Sequence, residues 1–158
     1  MVNRPKNIGT AAETAVVRAA RTRGFPHADR LTLTGNKDRG DIGLAPGVIV
    51  EVKGGQAAKT ASDNQIATWL AETEIERGHA GAAVGILVTA RPGIGAPNAH
   101  RWWAHITLGD LLTTLGAHES LKLAPNLHAP LRMTLGSALA LLRAAGYGQA
   151  PDSRGVAS

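Results

Sequence analysis

Residues 41–53 read Asp-Ile-Gly-Leu-Ala-Pro-Gly-Val-Ile-Val-Glu-Val-Lys. Two short apolar runs flank the turn signal Ala45-Pro46-Gly47, which makes 41–44 and 48–53 the expected strands of an antiparallel hairpin. A three-residue loop with Gly47 in the left-handed conformation sets Leu44 opposite Val48 and Asp41 opposite Glu51; a two-residue loop shifts that pairing by one. Lys53 lies two residues from Glu51 and so shares its face. Two carboxylates and one ammonium therefore gather at one edge of a sheet. Like charges opposed across a strand pair repel, and a divalent cation offsets that repulsion. Mg²⁺ takes one or two carboxylates and keeps positions for water and phosphate oxygens. An ammonium beside it can neutralise charge developing on a phosphate, or orient the attacking water. The same residues also suit a surface hairpin with an ordinary salt bridge, because acid-x-Lys is a common pattern.

The flanking sequence supplies a frame for this hairpin. A helix is expected from about Thr10 to Arg23, opened by the capping box Thr10-Ala11-Ala12-Glu13 and stopped by Gly24. Asp29–Thr34 alternates like a strand, and Gly35–Gly40 is a polar loop. Gly54–Ala61 reads as a flexible link. A second helix is expected to start at Ser62, with the capping box Ser62-Asp63-Asn64-Gln65, and to close at Gly78. Its inner stripe is Ile66, Trp69, Leu70, Thr73 and Arg77, with Glu72, Glu74 and Glu76 mostly outward. Ala82–Ala90 is an apolar run of strand length, consistent with a buried central strand. After the Pro/Gly loop Arg91–Ala99 come a strand, Arg101–Thr107, with Trp102 and Trp103 on opposite faces, and a short helix, Leu108–Leu115. Residues 1–116 form the expected main domain. Residues 117–158 are expected to be a C-terminal extension with one short helix, Ser137–Ala145, and a disordered tail from Gln149.

Glu13 fits the N3 position of a capping box, a role that needs no chemistry. It also lies three, four and seven residues from Val16, Val17 and Ala20, so it borders the face that packs on the sheet and can reach a metal or its water. Gln65 carries the same two readings, helix cap or ligand of water or phosphate. Residues 1–61 hold ten Lys/Arg against five Asp/Glu, and the rest of the chain holds seven of each, so the whole net charge of +5 lies in the half with the hairpin. Such a surface suits a polyanion, and equally a solvated basic face. Lys6, Arg18, Lys37, Arg39 and Lys59 are the candidate DNA contacts. Cysteine is absent, which excludes disulfides, zinc–thiolate sites and thiol nucleophiles; a reducing cytoplasm is compatible. The six histidines are scattered, with none at His-x-x-x-His spacing. No nucleotide-binding loop, signal peptide or membrane-spanning run is read from the sequence.

Glu13 on a first helix, Gly40-Asp41, Glu51-Val52-Lys53 and Gln65 on the next helix resemble the PD-(D/E)XK nuclease superfamily, with Gly40 standing where the superfamily name has Pro. Within it the chain is similar to archaeal-type Holliday junction resolvases. It is more closely similar to small resolvase-like nucleases of actinobacterial phages, through Gly9–Gly24, Gly35–Gly54 and Glu76–Val88. The resemblance covers about residues 7–115. It implies an α/β fold with an αβββαβ restriction-endonuclease-like core, a central mixed sheet flanked by helices. It also implies a homodimer with two active sites, acting on branched DNA in the cytoplasm, that of the host if the gene is a phage's. Cleavage would depend on Mg²⁺, with Mn²⁺ as a substitute, and would leave 5′-phosphate and 3′-hydroxyl ends. By that analogy Asp41, Glu51 and the Val52 carbonyl bind metal, Glu13 completes the metal or water shell, and Lys53 positions or activates the water. The alternatives are the same chemistry on flaps, ends or specific duplex DNA, and a DNA-binding module without catalysis.

Overall fold

The computed structural model describes residues 4–32, 35–123 and 126–149. In chain order the elements are α1 (Arg4–Arg21), β1 (Asp29–Arg30), β2 (Ile42–Ala45), β3 (Val48–Lys53), α2 (Gly55–Lys59), α3 (Asp63–Ala80), β4 (Val84–Thr89), a 3-10 turn (Ala96–Arg101), β5 (Trp103–Thr107), α4 (Leu108–Thr114), α5 (His118–Leu123), β6 (Pro130–Thr134) and α6 (Leu135–Ala144). The strands form one mixed sheet in the order β1-β2-β3-β4-β5-β6. Only β3 and β4 are parallel. A parallel neighbour needs a long crossover, and α2 with α3 supplies it. The expected mixed α/β architecture, with helices on a central sheet, is the one observed.

Alternation along β3 divides the molecule. Val48, Val50 and Val52 point to a core shared with Val16, Ala19 and Ala20 of α1 and with Leu135, Leu139 and Leu142 of α6. Their parallel partners Val84, Ile86 and Val88 join the same core. Ile49, Glu51 and Lys53 point to the other face, under α3. Every residue of β4 is buried, so the uninterrupted apolar run is what a strand covered on both faces requires. Glu74, Arg77 and Asp110 stitch α3 to this face. Asp110 Oδ2 accepts the Gly85 N–H at 2.9 Å, and Arg77 Nε contacts Glu74 at 2.9 Å and Asp110 at 3.6 Å. Burial first, and then the neighbouring Glu74, push the Asp110 carboxyl up to about 8.

Several local expectations are corrected. Helix α1 begins at Arg4 rather than Thr10, so Glu13 lies in mid-helix and caps nothing. Pro5 suits a first turn, and Ile8 of that turn packs on Gly54 and Gly55, which holds the early turns in place despite Gly9. The strand expected over Asp29–Thr34 is only Asp29–Arg30; Leu33 and Thr34 lie outside the described residues. The link after β3 contains the short helix α2. Helix α3 runs past Gly78 to Ala80 and ends on Gly81 at φ +63°. Ser62 does cap it, its hydroxyl accepting the Gln65 N–H at 3.2 Å, a contact worth about 1 kcal/mol. Trp102, expected in a strand, closes the 3-10 turn instead, its indole N–H donating to the Ile94 carbonyl at 2.9 Å.

The β2–β3 loop has two residues, not three, because Ala45 pairs with Val48. A bulge between Gly43 and Ala45 then absorbs one residue, and the register returns to Gly43–Ile49 and Ile42–Val50. Carried one step further, that register sets Asp41 beside Glu51, the pairing expected from the longer loop. Beyond Gly116 the chain adds β6 to the sheet edge and α6 to the core. Residues 150–158, in the expected tail, lie outside the described residues. No helix among the described residues is long and apolar enough to cross a membrane.

Candidate active site

Gly40 delivers Asp41 to the sheet. Its φ is +91°, and a Cβ there would lie 3.2 Å from Ile49 Cδ1, so glycine meets both the conformation and the space. Asp41 then replaces a rung of the ladder. Its N–H donates to the Val50 carbonyl at 3.1 Å, and its Oδ2 accepts the Val52 N–H at 2.8 Å. Both backbone groups of one strand residue face the same neighbouring strand. The Val52 carbonyl therefore points to the side where Asp41 lies.

Glu51 is 6% exposed. Its Oε1 accepts from Lys53 Nζ at 2.8 Å, while its Oε2 is buried and, among the described residues, has no hydrogen-bond donor. Lys53 Nζ sits 5.9 Å from the ring centre of Trp69 on α3. Burial pushes the Asp41 carboxyl up to about 7, aided by repulsion from Glu51 and opposed by the Val52 N–H. Burial likewise raises Glu51 to about 7, against the pull of Lys53. Burial acts to lower the Lys53 amine, but the hydrogen bond and charge of Glu51, with Asp41 behind them, outweigh it and leave the amine raised. Lys53 is thus an ammonium.

Glu76 is a correction and an addition. Expected to face outward, it is 9% exposed, and its Oε2 has no donor. It faces Glu51, and the repulsion between the two adds to the rise of the Glu51 carboxyl. Burial raises its carboxyl as well. Two buried carboxyls, each with an oxygen lacking a donor, need either a proton or a cation between them. Asp41 and Glu51, which repel each other, offer with the Val52 carbonyl the oxygen donors that suit a hard divalent ion, water completing its shell. Among the described residues, no three His, Cys, Asp or Glu side chains converge into a ready-made metal cage.

The other candidates separate. Glu13 is near enough to Asp41 to repel it, but its carboxylate is ion-paired to Arg30 of β1. Gln65 makes its cap through its backbone, and among the described residues its side chain makes no hydrogen bond to Asp41, Glu51 or Lys53. Lys37 and Arg39 border a cavity of about 240 Å³ that also includes Asp41. The Asp38 carbonyl of this loop lies 2.8 Å from His79 Nδ1 of α3. Lys6 is exposed on the first turn of α1. Arg18 borders a separate cleft beside Ala96 and Pro97, and Lys59 a groove on the α3 face.

Compared with protein-family models, with curated proteins and with solved structures, the chain gives no match. A buried pair of acids with raised proton affinity, an ammonium held by one of them and a basic loop beside the other combine two functions. The acids attract a cation, and the cations of the protein attract an anion.

Proposed function

We propose that the protein is a Mg²⁺-dependent endodeoxyribonuclease, with four-way DNA junctions as its leading substrate and a homodimer as its working form. The observation that carries this reading is the Glu51 carboxylate. It is buried, bound on one oxygen by Lys53 and, among the described residues, without a donor on the other, next to a second carboxylate, Asp41, just ahead of the adjoining strand. A structural salt bridge needs neither the second acid nor the empty lone pairs.

When bound, Mg²⁺ would lower the pKa of a coordinated water and offset charge on the phosphate. Asp41 and Glu51 would hold it, with the Val52 carbonyl. Lys53, an ammonium, donates hydrogen bonds to the phosphate oxygens and orients the water; it is not the base. The water oxygen would then bond to phosphorus, its proton would pass to the Glu51–Glu76 pair, and the P–O3′ bond would break. The O3′ takes a proton from solvent, leaving 5′-phosphate and 3′-hydroxyl ends. Lys37 and Arg39, on the loop before Asp41, steady the flanking phosphates without reading bases.

The test is cleavage of labelled four-way junction, flap and linear duplex with Mg²⁺, beside Glu51→Gln and Lys53→Ala. The expected result is symmetric junction cutting by the wild type, with at least a hundredfold loss in both variants. Preference for flaps or duplex would keep the nuclease and remove the resolvase. Binding without any cutting would leave a DNA-binding module.

A further inference from the structure

A second cationic cluster lies on the same sheet face and is not used above. Trp103 of β5 has two guanidinium carbons over its ring, Arg91 at 3.9 Å and Arg132 at 4.4 Å from the centroid. The two charges are therefore at most ~8 Å apart, close enough to repel. Among the described residues neither guanidinium has a carboxylate within ion-pair distance. Arg132 is exposed and Arg91 half-buried. The indole supplies cation–π attraction and holds the forks in place, but it does not neutralise them. Arg91 also donates to the Arg101 carbonyl at 3.3 Å, a neutral acceptor that leaves the charge of both forks open to an anion.

The sheet register connects this cluster to the acids. Lys53 pairs with Thr89, and Thr89 pairs with Trp103, which places β5 two strands, or ~10 Å, from the candidate active site. That span equals roughly three base-pair steps of duplex. Thr89, Trp103, Arg132 and Lys59 border one open groove of about 530 Å³. Asp63, at the exposed start of α3, is the acid on its rim.

We propose that Arg91 and Arg132, braced on Trp103, bind the phosphodiester backbone of DNA some three nucleotides from the bond that is cut. The cluster is a positioning site: it fixes the register of the strand across Lys53 and touches no reacting atom. The proposal rests on the nuclease reading for its distance to the cut, but not for the binding itself. Each guanidinium donates a bidentate fork to the oxygens of one phosphate, and Lys59 adds charge along the groove.

The experiment measures binding in EDTA, where no cutting occurs. Full-length protein, Arg91→Gln, Arg132→Gln and the double variant are titrated with labelled junction and duplex DNA over a range of salt, with folding checked by circular dichroism. Lys122→Gln, an exposed position of α5, serves as a variant outside the cluster, and inorganic phosphate as a competitor. The double variant is expected to bind at least tenfold more weakly, with a log–log salt slope shallower by roughly 2, one per lost phosphate contact. Arg91→Gln, which alters only a loop, is expected to show about half of that change in slope. Unchanged affinity and slope in the folded variants would overturn the proposal, even if the wild type cuts DNA. So would displacement of DNA by millimolar phosphate to the same degree in wild type and double variant. A wild type that binds through these arginines but never cuts would sink the nuclease reading alone.

Discussion

Glu51 on β3 and Glu76 on α3 face each other from buried positions, and among the described residues each carries an oxygen with no hydrogen-bond donor. The pair is unfavourable when both groups are ionised and is relieved by a proton or a cation. Its consequences are measurable in the absence of any DNA.

Stability is expected to fall as the pH rises. The folded values of Asp41 and Glu51 lie near 7, above the ordinary carboxylate range. The folded chain therefore holds these protons more tightly than the unfolded chain does. The stability this contributes is complete below about pH 4 and is lost as the pH climbs through about 7. Thermal unfolding without metal is expected several degrees lower at pH 8 than at pH 5. Added Mg²⁺ is expected to restore more at pH 8 than at pH 5, because the ion competes with protons for the same oxygens. A melting temperature that rises from pH 5 to pH 8 would contradict the raised values.

Glu51→Gln removes a buried charge that repels Asp41 and Glu76. It is expected to abolish cutting while leaving metal-free stability unchanged or raised by about 1 kcal/mol. Thermal denaturation beside the cleavage assay reads both. A loss of several kcal/mol would show that Glu51 is a structural ion-pair partner of Lys53.

Glu76→Gln removes a negative neighbour and places an amide donor beside Glu51. The Glu51 carboxyl is then expected to fall, so the rise of cleavage rate with pH moves to lower pH. The rate profile between pH 5 and 9 is the measurement, and an unshifted midpoint would remove Glu76 from the site.

Gly54→Ala tests the packing that positions the catalytic strand. A Cβ at Gly54 would stand 2.6 Å from Ala12 Cβ, so β3 and α1 must separate. A destabilisation of about 1–3 kcal/mol is expected in a denaturant titration.

The sequence carried the hairpin because strand alternation alone puts Glu51 and Lys53 on one face, and β4 because burial on both sides leaves its only polar side chain at the last position, Thr89. The register was reached by a different route than expected: two offsets, a shorter loop and a bulge at Leu44, cancel, and nothing in the residues announces the bulge. Glu76 was illegible because α3 inverts the usual pattern, leaving Ile75 61% exposed while Glu76 is buried. Local pattern breaks of this kind concentrate at functional sites. β6 escaped notice because it opens with Pro130, a residue suited only to the start or edge of a sheet, and because its burial is partial. The start of α1 was misplaced because Thr10 and Glu13 mimic a cap, whereas the turns before them are held by packing of Ile8 on Gly54 and Gly55.

The most direct measurement is Mn²⁺ binding to the DNA-free protein at pH 8, followed by electron paramagnetic resonance. Saturable binding by the wild type, weakened at least tenfold in both Asp41→Asn and Glu51→Gln and displaced by Mg²⁺, is the predicted result. Equal binding by wild type and both variants, or none by any of them, would contradict the claim that these two carboxylates hold a divalent cation together.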